Sequence, residues 1–183
     1  MKIYTRKGDS GETGIWGGKR LGKDEARMEA IGTVDEVNAA IGVAVANGVP
    51  DGVAELLQTA QNTLFVVGCE LMAPERTGSG ASVPRLTGNE VPEMEAAIDE
   101  LDQQLPELRN FILPSGTPGA TQIHLARGVC RRAERRVASV RRAEEVSPEV
   151  SAYLNRLADL LFVLARYANH EAGIAEIPWA PRS

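Results

Sequence analysis

The chain has 183 residues, 43% of them apolar and 4% aromatic, with a formal net charge of −5. That length suits one domain with an aliphatic core, and the acidic balance argues against a nucleic-acid binder working by bulk charge. No apolar run approaches the ~20 residues that span a bilayer, and MKIYTRKGD has neither an apolar signal core nor an Arg/Ser-rich presequence pattern, so a soluble cytoplasmic protein with no membrane partner is expected.

Residues 1–25 show no clear period and are punctuated by glycine, most densely in YTRKGDSGETG, Tyr4 to Gly14. From Arg27 to Asn47 the apolar residues Ile31, Val34, Val37, Ile41 and Val45 recur at helical spacing. A second helix is expected over Asp51 to Met72, with Leu57, Ala60, Leu64, Val67 and Leu71 on its buried side. APERTGSGASVPRLTG, Ala73 to Gly88, reads as an exposed loop from its Pro, Gly and Ser content. A third helix follows from Asn89 to Gln104 on the stripe Val91, Met94, Ile98 and Leu101. NFILPSGTPG connects it to a fourth, Ala120 to Arg142, whose seam runs Ile123, Ala126, Cys130, Ala133, Val137 and Val140. The fifth opens at SPE, where Ser147 can cap and Pro148 fits the first helical position. Its seam is Val150, Leu154, Leu157, Leu161, Leu164 and Ala168. No strictly alternating strand pattern occurs, and Cys69 and Cys130 sit in apolar helical patterns as expected of buried, reduced thiols. The fold class is all-α, a five-helix up-and-down bundle.

Three places carry candidate chemistry. On the fourth helix His124, Arg127, Arg131, Glu134 and Arg135 share one side, and seven arginines fall between Arg127 and Arg142. They form either a solvated charged face or a set of planar forks for carboxylate or phosphate. On the fifth helix Asn155, Asp159, Phe162 and Arg166 share a face, so Asn155 and Asp159 either meet Arg127 or Arg131 or bind a ligand's polar edge. Asp35 stands at the edge of the first helix's apolar stripe and calls for a guanidinium, in the chain or on another subunit.

The opening glycine cluster is not a Walker A loop, because Thr13 stands where the first Gly belongs, Arg20 follows Gly18-Lys19, and no apolar strand precedes it. It is either an anion nest, with Thr5, Arg6, Lys7 and Thr13 adding donors, or a disordered basic leader. Phe111 either plugs its own loop into the core or offers an apolar wall to a large flat ligand. His124 and His170 have no second His or Cys at metal spacing, so no protein metal site is expected. No Ser-His-Asp or Cys-His arrangement is defensible either. A nucleic-acid module using the Arg face is disfavoured by the net acidity and the lack of interleaved aromatics.

Four blocks in order, YTRKGDSGETG, GGKRLGKDEARMEAIGTVDEVNAAIG, FILPSGTPGATQIHLARGVCRRAERR and YLNRLADLLFVLARYAN, resemble the PduO-type ATP:cob(I)alamin adenosyltransferases across nearly the whole chain. The resemblance implies a ferritin-like five-helix bundle that assembles as a homotrimer with its sites between subunits. It implies one domain over 1–183, with an ATP-binding segment at 1–25, the bundle at 26–172 and a tail at 173–183. The implied reaction moves the 5′-deoxyadenosyl group of ATP onto cob(I)alamin, giving adenosylcobalamin and triphosphate, with Mg2+ accompanying the ATP. A reductase and a B12-dependent acceptor enzyme are the expected protein partners, and a carrier role, handing the product to that acceptor, is the second reading and can coexist with the first.

Residue by residue, Tyr4, Thr5, Arg6, Gly8, Asp9, Gly11 and Thr13 match the family's ATP loop, and Lys23 a basic residue near the phosphates. Arg131 matches the arginine at the triphosphate, with Glu134 and Arg135 beside it, and Asn155 an ATP-contacting asparagine. Asp35 and Arg127 match an intersubunit salt bridge at the corrinoid, and Phe111 the aromatic that displaces the corrinoid's lower axial ligand. Arg131, Asp35, Arg127 and Phe111 are therefore the residues expected to carry the chemistry. Trp16, Lys19, Ser115, Gly128 and Cys130 depart from the family's pattern, and Gly128 leaves the packing of the arginine helix open.

Overall fold

The computed structural model describes residues 2–73 and 83–181. It contains two short strands, β1 (Glu12–Gly14) and β2 (Arg20–Gly22), and five helices: α1 (Ala26–Ala46), α2 (Asp51–Met72), α3 (Glu90–Asp102), α4 (Pro118–Val140) and α5 (Pro148–Glu171). The helices fall within a few residues of where apolar periodicity puts them. Of the expected loop 73–88, residues 74–82 lie outside the described residues.

The helices pack α2–α1–α4–α5–α3, with α5 also touching α2. Val34, Val37 and Ile41 of α1 meet Ile123, Cys130 and Val137 of α4 and Leu154, Leu157 and Leu161 of α5 in a single aliphatic cluster. Each such side chain contributes about 1.5–3 kcal/mol of hydrophobic stabilisation. α3 buries only Met94 fully, so its stripe of Val91, Ile98 and Leu101 lies half-covered against the bundle.

The helix ends are set by local chemistry. Thr117 caps α4, its hydroxyl accepting from the Ala120 amide at 3.2 Å, and Pro118 occupies the first turn where no donor is needed. A Cβ on Gly119 would stand 2.1 Å from the Gly48 carbonyl oxygen, so glycine is what lets α4 begin against the α1–α2 turn. The capping role expected of Ser147 is not observed: its hydroxyl donates to the Glu149 carboxylate instead, while Pro148 does open α5. Gly128 faces open space, so it leaves no packing defect. Cys130 is buried and its thiol donates to the Leu154 carbonyl at 3.3 Å, whereas Cys69 is only half-buried, contrary to expectation.

Two features have no counterpart in the helical reading. β1 and β2 pair antiparallel, Thr13 opposite Leu21, around a turn in which Gly17 and Gly18 take φ of 91° and 84°. Leu21 and Ile15 are buried, and the Trp16 amide donates to the Met72 carbonyl at 3.0 Å, docking the hairpin at the end of α2. At the opposite end of the bundle the C-terminal segment returns to the loop before α4. The Leu113 amide donates to Ile177 O at 2.9 Å, the Trp179 amide donates to Phe111 O at 2.6 Å, and Ile112 bridges Pro178.

Candidate functional site

The glycine-rich N-terminus folds as a loop followed by the β1–β2 hairpin. The Gly11 amide donates to Gly8 O at 3.3 Å, and the Lys23 amide to Gly11 O at 2.9 Å. A Cβ on Gly8 would stand 3.2 Å from the Lys23 ammonium, so Gly8, Gly11 and Lys23 form one small cluster. Arg6 has a φ of 60°, and its guanidinium lies 5.4 Å from the Tyr4 ring centroid. The Thr5 hydroxyl accepts from the Lys7 amide at 3.4 Å. Arg20, which sequence reading used only to reject a Walker loop, holds this curve together: Nη2 donates to Lys7 O at 2.9 Å and Nε to Glu12 Oε2 at 3.1 Å. Asp9 is exposed, and Thr13 sits half-buried in β1.

The second group lies where α4 faces α5. Asn155 Nδ2 donates to Glu134 Oε1 at 3.1 Å, and Arg135 Nη1 donates to Arg131 O at 2.9 Å. Arg131 is exposed and has no acidic partner among the described residues. Arg127 lies with its guanidinium 5.1 Å from the centroid of Phe162, close enough for cation–π attraction. His124 packs 6.2 Å from the same ring. Burial, aided by the Arg127 charge and opposed by Glu176, holds the His124 imidazole below its ordinary pKa, and its Nδ1 is buried without a hydrogen-bond partner. Asp159 does not meet Arg127 or Arg131 as one reading of the sequence had it; its carboxylate takes Arg156 at 2.7 Å.

The third group is apolar. Phe111 is 80% exposed, which removes the reading that it plugs the core, and its ring meets Trp179 edge-on at 6.3 Å. Trp179 was missed in the sequence; a tryptophan between two prolines in an aromatic-poor chain was the available signal.

Asp35 is exposed on α1 and lines a hollow of about 520 Å³ with Trp16, Met28, Ile31 and Phe65. Among the described residues no ion pair joins it to Arg127. Nor does any hydrogen bond or ion pair among them link residues 2–23 to α4 or α5. Among the described residues the N-terminal amides and cations and the guanidinium groups of α4 are thus separate clusters, and Phe111 with Trp179 forms a third, exposed and apolar. Loop amides and guanidinium forks are groups that bind phosphate, and exposed rings are groups that pack on flat apolar ligands.

The family model for cobalamin adenosyltransferase matches residues 3–168. A corrinoid adenosyltransferase of Bacillus subtilis is 43% identical over 98% of this chain and 92% of its own. A cobalamin adenosyltransferase of Cupriavidus metallidurans is 41% identical over 97% and 94%. Among solved structures, a variant PduO-type ATP:corrinoid adenosyltransferase from Lactobacillus reuteri, complexed with cobalamin and ATP, superposes with a TM-score of 0.92 at 33% identity, covering 98% of this chain and all of that one.

Proposed function

The chain belongs to the cobalamin adenosyltransferase family, and from that premise we propose that it transfers the 5′-deoxyadenosyl group of ATP to cob(I)alamin, giving adenosylcobalamin and triphosphate. The observation that supports the assignment of residues is Arg131, exposed and, among the described residues, without an acidic partner beside the Glu134–Asn155 hydrogen bond. In this reaction the electron pair of Co(I) forms the Co–C5′ bond while the C5′–O bond breaks, and that pair leaves on triphosphate. The metal is itself the nucleophile, so no side chain has to be activated. The protein's task is to align the two substrates and to neutralise charge growing on the leaving group.

Arg131 takes the triphosphate, Glu134 orients Asn155 toward the nucleotide, and Arg135 adds positive charge beside them. The Gly8–Gly11–Lys23 cluster, with Tyr4, Thr5, Arg6, Asp9 and Thr13 around it, closes over the same ATP from a neighbouring subunit. Phe111 and Trp179 form the apolar wall for the corrinoid. Arg127, held on the Phe162 ring, reaches Asp35 of the neighbouring copy and seals the corrinoid side. The homotrimer is what the family resemblance implies, and the lack of any bond between residues 2–23 and α4 or α5 among the described residues supports a site completed by another copy.

Among the described residues no three His, Cys, Asp or Glu side chains cluster to hold an ion. In this reading Mg2+ accompanies the ATP on its phosphates. No helix among the described residues is long and apolar enough to cross a membrane. A reducing cytoplasm suits both the free thiols of Cys69 and Cys130 and a Co(I) substrate. The decisive experiment mixes the protein with chemically reduced cobalamin, ATP and Mg2+. The expected result is loss of the cob(I)alamin spectrum with stoichiometric adenosylcobalamin and triphosphate; no turnover with authentic cob(I)alamin overturns the assignment. Sedimentation at micromolar concentration tests the trimer, and a stable monomer would count against the shared site.

A further inference from the structure

Arg166 is a guanidinium with 2% exposure near the end of α5, and every edge of it is used. Nε donates to Glu176 Oε1 at 2.6 Å, Nη2 donates to the Pro106 carbonyl at 2.7 Å, and Nη1 reaches Asp102 at 3.4 Å. Its plane also lies 6.0 Å from the Phe162 ring that carries Arg127 on another side. A buried arginine satisfied this fully is expensive to desolvate and holds its partners in a narrow geometry. One partner, Glu176, belongs to the C-terminal segment. One and three residues beyond it, at Ile177 and Trp179, that segment makes the two backbone bonds that hold Leu113 and Phe111, and Trp179 meets the Phe111 ring. Phe111 is otherwise on an exposed loop, and among the described residues Trp179 is the one ring that meets it.

We propose that Arg166 and Glu176 are positioning residues for the corrinoid half of the reaction: their ion pair latches the C-terminal strap, and the strap holds Phe111 and Trp179 in place. The proposal rests on the reading of Phe111 as the corrinoid wall. Neither residue of the latch touches a substrate. It acts by restricting the Phe111 loop to one geometry before the corrinoid arrives, so that its loss is felt in corrinoid binding and not at Arg131, Glu134 and Asn155, which take the nucleotide.

The test uses the full chain with Glu176→Ala, a change on the strap and not in the bundle core, alongside Glu176→Asp and Phe111→Ala. With Glu176→Ala, the KM for cob(I)alamin is expected to rise roughly tenfold while the KM for ATP stays within about twofold. Glu176→Asp should recover part of the loss. Because the latch works through Phe111, adding Glu176→Ala to Phe111→Ala should change turnover little further, a non-additivity that general loosening of the fold does not produce. Equal rises in both KM values, unchanged kinetics, or full additivity with Phe111→Ala overturn the latch. If Glu176→Ala does not fold, Glu176→Gln keeps the shape without the charge and faces the same criteria. A wild-type protein that fails to adenosylate cob(I)alamin overturns the parent reading and the latch with it, whereas an active wild type with an indifferent variant overturns the latch alone.

Discussion

The two faces of α4 carry the same residue type and use it differently. Toward α1, Arg136 pairs with Glu29 at 3.3 Å and Arg132 with Glu36. Toward α5, Arg127 lies on a ring, Arg135 binds backbone, and Arg131 has no acidic partner among the described residues. The division follows the helical period: 132 and 136 share one side, while 127, 131, 134 and 135 share the other. The difference teaches that an arginine cluster has to be read by partner and not by number. Half-exposed pairs contribute little to stability, about 0–1 kcal/mol each. An arginine left without an acid, beside a fixed Asn–Glu pair, keeps its full charge for a polyanion.

The strongest way to break this comparison is Arg131→Ala. If Arg131 faces the leaving group as proposed, removing its charge should lower kcat by about 10²–10³-fold. Circular dichroism and sedimentation should be unchanged, because the side chain is exposed and makes no hydrogen bond or ion pair among the described residues. Near-normal kinetics would mean that the free face of α4 is no more functional than the paired one. A smaller effect is expected from Asp35→Arg, roughly tenfold or more in kcat/KM for the corrinoid, from placing like charges together across subunits. Adding Arg127→Asp should return part of that loss. Absence of any rescue in steady-state assays would show that the two residues do not meet in the assembly.

How much of this was legible beforehand depends on the range of the interactions. The five helices were, because their seams are periodic and each helix carries its own record of what it buries, as in Leu154, Leu157, Leu161 and Leu164. Arg131, Glu134 and Asn155 were visible as members of facing polar stripes, although which of Asn155 and Asp159 crosses to α4 was not. Spacing gives a face, but the choice between Glu134 and Arg156 as partner is set by a rotamer. The hairpin escaped notice because each strand is three residues long, too short to show alternation. The strap escaped because its bonds are backbone bonds between residues 111–113 and 177–179, which leave no trace in side-chain pattern. Arg166 looked like one more polar residue on a face, and its burial depends on Pro106 and Glu176 arriving from elsewhere. The family resemblance supplied roles for Asp35 and Phe111 that composition and spacing left open.

His124 sharpens the comparison from beneath the α5-facing side. Its imidazole is kept neutral chiefly by burial and next by the Arg127 charge, with Glu176 opposing. In the unfolded chain it titrates near its ordinary value of about 6.5. Because the folded pKa is lowered, the contribution is complete above that value. It is lost as pH falls through it, when the unfolded state takes up a proton that the folded state resists. The melting temperature of the wild type should therefore drop more steeply below pH ~6.5 than that of His124→Gln. Parallel curves for the two proteins would show that His124 is not held neutral. The paired face of α4 has no comparable titrating group in that range, so Arg136→Ala should leave the slope as it is.

The smallest expected effect tests the structural half of the comparison. Arg136 and Glu29 are each about half exposed, at 50% and 52% of their side-chain surface, and their contact is 3.3 Å. Water and salt screen such a pair, and ordering two long side chains offsets much of the attraction. Arg136→Ala, Glu29→Ala and the double variant form a cycle whose coupling energy from urea unfolding should be about 0–1 kcal/mol, shrinking further in high salt. Turnover should match the wild type in all three, since these residues lie on the α1 side of α4, away from Asn155 and Phe162. A coupling well above 1 kcal/mol would show that the α1–α4 seam depends on this pair more than its exposure allows. A large loss of turnover would move Arg136 to the ligand side and dissolve the distinction between the two faces.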